Sequence, residues 1–240
     1  MSATARHVAA ALCGATTLAL APHAFADDAD RAHTHAGFYA SVGLGAGFAG
    51  ASVHTSATAG TLRVGGSAPT TDANGRLSSF TVPFHLLLGG APLPGLIVGG
   101  GHFGNLSPSA SSKIDGALSG TLSTFTFGIT GPFVDWYPRP RGGFHTIAML
   151  GLADAIEAAA PAGSTSATTR GLLGFGGALG VGYTLWVGRG FDVGLLARAQ
   201  FGEATFSGAT SPANADVVGD DLHEQQLLFN GALLLTAAYH

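Results

Sequence analysis

The segment at residues 222–239 alternates between apolar and polar side chains at every second position. One face carries Leu227, Phe229, Gly231, Leu233, Leu235, Ala237 and Tyr239, and the other carries Glu224, Gln226, Leu228, Asn230 and Thr236. A period of two is that of an extended strand whose two faces lie in different surroundings. This pattern constrains the fold more than any other feature, because it excludes a helix and requires an apolar environment on one side of a sheet.

Similar alternation, or a run rich in glycine and aromatic residues, recurs along the chain. We predict eight strands, near 37–49, 77–90, 94–106, 117–136, 143–155, 171–187, 190–206 and 222–239. Short turns at 91–93, 137–142 and 188–189 alternate with long polar loops at 50–76, 107–116, 156–170 and 207–221. An even number of strands with this alternation of connections is typical of bacterial outer-membrane barrels, and it places both ends of 37–240 on the short-turn side.

The patterns also predict which faces point to lipid. In the fourth strand Phe125, Phe127, Ile129 and Phe133 alternate with Thr124, Thr126, Gly128 and Thr130, and we expect the apolar row to face lipid. In the seventh, Val193, Leu195, Ala197, Ala199 and Phe201 oppose Asp192, Gly194, Arg198, Gln200 and Gly202. The facing of the third and fifth strands is left open.

Rows of glycine accompany this pattern. Gly43, Gly45 and Gly47 share one face, as do Gly174, Gly176, Gly180 and Gly182 with Ala178. Both rows oppose apolar rows, so they are predicted to point inward. There they either leave open space or admit large side chains from across the barrel.

Composition supports a membrane-embedded sheet. Only 10% of residues are charged and 46% are hydrophobic, whereas about 25% of residues are charged in soluble domains. A membrane helix needs about 20 consecutive apolar residues, and the richest stretch, 83–101, is interrupted by prolines, His85 and several glycines. The net charge of -4, with ten Lys and Arg residues, gives no basic patch for nucleic acid.

The N-terminus has the pattern of a secretory signal peptide. Arg6 precedes an apolar stretch at 8–20, and Ala24-Phe25-Ala26 forms a small-residue cleavage site. We predict a signal peptide at 1–26, a short periplasmic tail at 27–36 and the barrel at 37–240. The only cysteine, Cys13, falls in the signal, which excludes disulfides from the exported chain.

The polar aromatic residues cluster near predicted strand ends on the short-turn side. They are Tyr39, Trp136, Tyr137, Tyr183, Trp186 and Tyr239. Side chains with an apolar body and a polar tip suit a lipid–water interface, so we predict a one-sided periplasmic aromatic girdle. Phe48, Phe80, Phe103 and Phe206 are expected toward the opposite ends of the strands.

With these features the chain resembles the small eight-stranded outer-membrane barrels, the OmpA/OmpX-like transmembrane domains. The resemblance covers 37–240 and rests on strand number, loop asymmetry and a closing strand with an aromatic residue, Tyr239, near its end. It implies an all-β, eight-stranded antiparallel up-and-down transmembrane β-barrel in the Gram-negative cell envelope. It also implies that the closing strand is recognised by the barrel-insertion machinery during assembly.

Arg198 is the most informative charge, because it lies mid-strand on a face predicted to point into the lumen. A buried charge needs an acidic or hydrogen-bonding partner. The sequence offers Glu224, Gln226 and Asn230 on the next strand, Gln200, Asp192 and Glu203 on its own strand, and His85 and His145 elsewhere. Two interpretations remain open: a static polar plug, or a gate whose rearrangement opens a narrow pore.

Other motifs are weaker. Glycine patterns at 45–50 and 99–104 resemble a dinucleotide fingerprint but open no helix. His33-Thr34-His35 is interpreted as part of a mobile polar tail rather than a metal site. His54-Thr55-Ser56 invites comparison with outer-membrane lipid deacylases, but it is placed in a long loop with no acid assigned to it.

The sequence therefore predicts a non-enzymatic outer-membrane barrel with a structural or surface-interaction role and a largely plugged lumen. The alternatives are a narrow gated channel for ions or small solutes and, less favoured, a lipid-modifying hydrolase. No cofactor and no metal are expected. The expected partners are outer-membrane lipids and the insertion machinery, with an unidentified ligand at the extracellular loops, and the protein is expected to be a monomer.

Overall fold

The computed structural model describes residues 33–63, 72–114, 119–122, 124–159, 168–210 and 218–240. The regular structure in these ranges is β-strand. The strands are β1 (Gly37–Arg63), β2 (Asp72–Leu93), β3 (Leu96–Ser107), β4 (Ala110–Ile114), β5 (Ser119–Leu122), β6 (Thr124–Trp136), β7 (Phe144–Ala159), β8 (Thr168–Trp186), β9 (Phe191–Thr210) and β10 (Val218–Tyr239). The predicted signal peptide and residues 27–32 of the predicted tail lie outside the described residues.

The strands form one antiparallel sheet that closes on itself. β2 pairs with both β3 and β4, and these pair with β6 and β5, so β3–β4 and β5–β6 are two interrupted strands of the wall. β1 pairs with β2 on one side and with β10 on the other, which closes the ring. The wall therefore has eight strands, each beside its neighbour in sequence. The predicted all-β, antiparallel up-and-down barrel is confirmed.

Short turns join the strands at one end of the barrel, here called the short-turn end. The turn predicted at 91–93 is wrong by two residues, because β2 continues to Leu93 and pairs it with Leu96. Pro94 and Gly95 form the turn, and Gly95 has a φ of +81°. Proline followed by glycine at the two central positions suits a type II turn, in which the second residue needs a positive φ.

The opposite end of the barrel, here called the hairpin end, differs from the prediction. Much of the predicted loops is strand: β1 runs to Arg63, and Ser56 pairs with Asp72. Segments 64–71, 115–118, 160–167 and 211–217 lie outside the described ranges. The predicted loops are rich in Ser, Thr, Ala and Gly, and this composition concealed the described strand residues within them, because backbone pairing to a neighbour does not require apolar alternation.

The outer surface carries a broad apolar belt. Large exposed side chains include Leu44, Leu86, Leu150, Phe175, Leu195, Phe229 and Leu233. The predicted facing of β9 and β10 is correct, since Leu195 and Leu233 point outward while Arg198 and Asn230 are buried inside. An apolar surface this extensive is stable against lipid rather than water. In the part of the chain that the structure describes, no helix has the length and apolarity to span a membrane.

The predicted facing of the fourth strand, now β6, is wrong. Phe125, Phe127, Ile129 and Phe133 are all buried inside the barrel, while Thr130, Val134 and Trp136 are exposed on the outer face. The reason lies in the glycine rows, which do point inward as predicted and make room for these side chains. A Cβ atom added to Gly176 would lie 3.2 Å from Ile129 Cδ1, and one added to Gly202 would lie 3.3 Å from Phe127 Cε2.

Burial also gives the facing of the predicted third and fifth strands, which are β3 and β7. β3 turns Ile97, Phe103 and Asn105 inward, and β7 turns His145, Ile147, Met149 and Glu157 inward. Phe103 therefore fills the lumen, whereas Phe48 and Phe80 face outward near the hairpin end. Large side chains therefore lie inside the barrel next to the inward glycine rows.

The structure contradicts the predicted aromatic girdle at three of its six positions. Trp136, Tyr183 and Tyr239 are exposed on the outer surface at the short-turn end. Tyr39 and Tyr137 are buried inside the barrel, and Trp186 packs against the rings of His35 and His240. These three close the barrel mouth because their rings contact histidine rings there, Tyr137 by stacking and Tyr39 and Trp186 in tilted contacts.

Candidate functional site

The lumen is the candidate site, and the structure buries all seven side chains of the predicted lumen network within it. These are Arg198, Gln200, Glu224, Gln226, Asn230, His85 and His145. They do not form one network. Strand register separates them into groups stacked along the barrel axis, from Glu224 near the hairpin end to His145 near the short-turn end.

Arg198 projects from β9 to the opposite wall. Its Nη1 donates to the carbonyl oxygen of Phe84 on β2 at 3.1 Å, and its Nη2 donates to Gly104 O at 3.3 Å and Asn105 Oδ1 at 3.2 Å on β3. The guanidinium carbon lies 4.7 Å from the centroid of the Phe103 ring. Among the described residues no carboxylate pairs with Arg198, so hydrogen bonds to neutral acceptors and a cation–π contact replace the acidic partner that the sequence offered.

Asn105 and Gln200 extend this group across the lumen. Asn105 Nδ2 donates to Gln200 Oε1 at 2.6 Å and to Phe127 O at 3.1 Å, and Gln200 Nε2 donates to Phe103 O at 3.1 Å. Each amide thus joins β9 to β3, and Asn105 also contacts β6. The group is a cross-barrel brace at mid-height.

A second group lies toward the hairpin end and centres on Gln226. Its Nε2 donates to Glu157 Oε1 and to Glu224 Oε1, both at 2.7 Å, and Thr55 Oγ1 donates to Glu224 Oε2 at 3.4 Å. All four residues are buried. One amide thus holds carboxylates from β7 and β10 together.

Asn230 makes a separate connection between β10, β1 and β2. Its Nδ2 donates to Phe48 O at 3.1 Å and to Thr81 Oγ1 at 3.2 Å. Its backbone pairs with that of Gln200 on β9, a member of the brace. Its side chain nevertheless makes no hydrogen bond to Arg198.

A third group fills the half of the lumen nearest the short turns. Ser41 Oγ lies 3.0 Å from His85 Nε2, and His145 Nδ1 donates to Asp135 Oδ1 at 2.7 Å. His85 Nδ1 and His145 Nε2 have no hydrogen-bond partner among the described residues. Among the described residues no carboxylate hydrogen-bonds to His85, so no acid there orients its ring toward Ser41.

The short-turn end is closed by His35, which the sequence analysis placed in a mobile tail. This is wrong for His35. Its backbone N–H donates to Pro140 O at 3.0 Å, its carbonyl accepts from Gly95 N at 2.8 Å, and its Nε2 donates to Gly142 O at 3.1 Å. The ring stacks on Tyr137 with centroids 3.5 Å apart. Burial, together with nearby His240, lowers the pKa of His35 to about 3.

Five buried interior residues are not predicted as such by the sequence patterns, namely Phe103, Asn105, Asp135, Glu157 and His35. Asn105 shares its face with Phe103, so resolving the facing of β3 would have found both. Asp135 shares its face with Phe133, and the apolar side chains of that face predict contact with lipid rather than a buried carboxylate. No local signal reports His35, because its side-chain partners are 107 and 205 residues away in sequence.

The His54-Thr55-Ser56 triplet and the two glycine patterns all lie on strands. His54 and Ser56 belong to β1 rather than to a loop, and Asp72 stands opposite Ser56. His54 Nδ1 lies 2.9 Å from Asn74 Oδ1, and Nε2 lies 3.9 Å from Asp72 Oδ1. Both ring nitrogens thus face β2 residues. The glycine patterns at 45–50 and 99–104 fall inside β1 and β3, so neither opens a helix that would bind phosphate.

The closed ring of strands and the apolar outer belt define the class: an eight-stranded transmembrane β-barrel. No protein-family profile matches the chain, and no curated protein matches it.

The chain is similar to several solved structures. The outer membrane protein OprG from Pseudomonas aeruginosa is 14% identical with a TM-score of 0.49, and the match covers 88% of this chain and 99% of OprG. Ail, the attachment invasion locus protein of Yersinia pestis, is 10% identical with a TM-score of 0.34, covering 82% and 99%. The outer membrane protease OmpT from Escherichia coli is 9% identical with a TM-score of 0.39, covering 85% and 96%.

Proposed function

We propose that the protein is a monomeric, non-enzymatic barrel of the bacterial outer membrane that does not conduct and acts through its surface. The cross-barrel brace of Arg198, Asn105 and Gln200 carries this proposal. Arg198 leaves β9 and bonds to β2, which is three strands away around the eight-stranded wall. A side chain that spans the lumen and is bonded on the far side occupies the path a solute would take.

Side-chain packing beside the brace and toward both ends of the barrel supports the same conclusion. Phe103, Phe127 and Ile129 fill mid-height, the group around Gln226 lies toward the hairpins, and His35 covers the short-turn end. An eight-stranded barrel is just wide enough for side chains to fill its interior. Opening it requires breaking several buried hydrogen bonds at once, each costing about 1–3 kcal/mol when its partner stays buried.

Single-channel recording in a planar bilayer tests the closed lumen. We expect no conductance steps from refolded, inserted protein, with Arg189→Ala, an exposed turn arginine, as the matched control for Arg198→Ala. Steps in the unaltered protein that change with Arg198→Ala but not with Arg189→Ala would instead establish a channel gated by the brace. Lipid turnover lost in both His54→Ala and Ser56→Ala would instead establish the hydrolase.

One surface feature favours anionic lipid headgroups as the interaction partner. A groove of about 780 Å³ at the hairpin end is lined by Ser52 of β1, Arg76 and Ser78 of β2, Ser111 and Lys113 of β4, and Leu227 and Phe229 of β10, among others. Arg76 and Lys113 stand directly opposite each other on β2 and β4. Like charges in that position repel, and neither has an ion-pair partner in the ranges that the structure describes.

The groove continues the outward face that carries Phe80 and includes Phe229 of the apolar belt, so it lies at the edge of that belt, where lipid headgroups are expected. A lipid phosphate between Arg76 and Lys113 relieves their repulsion while acyl chains cover Leu227 and Phe229. We expect Arg76→Ala and Lys113→Ala to weaken retention of a phosphorylated lipid during detergent exchange, and Arg189→Ala to leave it unchanged. Equal retention in all three variants would remove this surface from the proposal.

A further inference from the structure

Three side chains with metal-binding atoms meet at the short-turn end of the barrel. His35 comes from the segment before β1, Asp192 from the start of β9, and His240 follows β10. The three side chains are buried. We propose that His35, Asp192 and His240 form a binding site for a divalent transition-metal ion of the zinc class.

The distances between the ligand atoms suit a single ion. His240 Nε2 lies 2.8 Å from Asp192 Oδ2 and 3.1 Å from His35 Nδ1, and His35 Nδ1 lies 3.8 Å from Asp192 Oδ2. Zinc binds nitrogen and carboxylate oxygen at about 2.0–2.2 Å, so the edge of a tetrahedron around it is about 3.4 Å. The three edges bracket that value, so the ion fits with shifts of a few tenths of an ångström.

The surroundings orient the ligands as they do in metal sites. His35 Nε2 donates to Gly142 O at 3.1 Å, which leaves the Nδ1 lone pair directed at Asp192 and His240. A ligating histidine usually donates its other ring N–H in this manner. Asp192 Oδ1 is buried with no hydrogen-bond partner among the described residues, so a second carboxylate oxygen is available to the ion.

The backbone holds the three ligands in place. The His240 N–H donates to Gly190 O at 2.9 Å, beside Asp192, and His35 is held by bonds to Gly95, Pro140 and Gly142. Two imidazoles and one carboxylate favour zinc-class ions over magnesium or calcium, which prefer all-oxygen sites. A bound ion joins the segment before β1 to β9 and to the end of β10, and so locks the short-turn end.

Trp186 provides a reporter inside the site. Its ring centroid lies 4.7 Å from that of His35 and 5.2 Å from that of His240, and the chain has only two tryptophans. In the full, untagged chain with Trp136→Phe, refolded in detergent micelles, we expect Co²⁺ to quench Trp186 fluorescence saturably with one ion per chain. Zn²⁺ should reverse the quenching and Mg²⁺ should not.

Variants separate this site from adventitious binding. His35→Ala and Asp192→Asn should each weaken Co²⁺ binding about tenfold or more. His33→Ala is the matched control, because His33 is exposed yet its ring lies 5.6 Å from Trp186, and it should leave the affinity unchanged. No quenching, equal effects of Zn²⁺ and Mg²⁺, or loss only in His33→Ala overturns the proposal.

A measurement on the unaltered chain covers the case in which a variant fails to fold. Tetrahedral Co²⁺ absorbs visible light much more strongly than octahedral, water-rich Co²⁺. An intense visible spectrum that Zn²⁺ abolishes supports the site, and a weak spectrum overturns it. Heat-dependent migration on gels establishes which variants are folded before their affinities are compared.

Discussion

The ring of Phe127 on β6 lies against Gly202 on β9, three strands away around the barrel wall. The space for that ring exists because Gly202 has no side chain, and a Cβ atom there would lie 3.3 Å from Phe127 Cε2. Large residues on one wall thus pack against glycine on another inside the barrel. The same relationship joins Ile129 to Gly176.

Phe127→Ala removes the aromatic ring that packs against Gly202 and leaves two small residues facing each other. We expect a loss of about 3–5 kcal/mol in the free energy of unfolding, because the cavity adds to the lost burial. Urea unfolding of the refolded barrel in lipid vesicles measures it. Phe80→Ala is the control, since that ring is 83% exposed and leaves no internal void. Equal losses would mean that β6 faces the other way.

Arg198→Met keeps the apolar stem but removes the donors of the cross-barrel brace. The acceptors on Phe84, Gly104 and Asn105 then lose a buried partner, at a cost of about 1–3 kcal/mol for each acceptor left unsatisfied. We expect a lower unfolding midpoint in urea than for Arg189→Met, which alters an exposed turn. Unchanged stability would show that the brace is dispensable.

Gly182→Ala tests whether side chains occupy the space next to the inward glycine rows. A Cβ atom on Gly182 meets the imidazole of His145, so the ring must move from its bond to Asp135, and we expect a loss of about 1–3 kcal/mol. Gly171→Ala on the same strand has open space around its Cβ position and should be neutral or slightly stabilising. Thermal unfolding followed by circular dichroism compares the two, and a tolerated Gly182→Ala would indicate an open lumen.

Leu233→Lys places a charge in the apolar belt. We expect a loss of about 2–4 kcal/mol in membrane-inserted stability, the cost of a lysine facing lipid near mid-membrane. His223→Lys lies on the same outward face of β10 but near the hairpin end, and should cost little. Refolding yield into lipid vesicles checks both. Similar yields would place the membrane at a different height on the barrel.

The strand pattern was predictable because it is local. Alternation along β9 and β10 identifies both the strands and the residues that share each face. Alternation does not say which face meets lipid, and β6 shows why. Its inward residues Phe125, Phe127 and Ile129 are more apolar than Thr124, Thr126, Gly128 and Thr130, with which they alternate. The barrel interior accepts apolar side chains as lipid does.

The closure of the short-turn end was not predictable from the sequence. His35 lies in a polar segment that also contains His33 and Thr34, with nothing local to distinguish it from an exposed tail. Its environment is assembled by Tyr137, Gly142 and His240, which only the closed barrel brings together. The same applies to Asn105, whose partners lie on β9 and β6.

The pairing of β1 with β10 runs from Ala40 opposite Tyr239 to Arg63 opposite Val218, much longer than the β3–β6 pairing, which ends at Ser107 opposite Phe125. The other pairings join strands that are near in sequence, while this one must bring together the two ends of the sheet. Such distant contacts have the largest loop-closure cost and slow folding. We therefore expect assembly to be limited by this seam, with mutations along β1 slowing refolding more than equally destabilising mutations along β3.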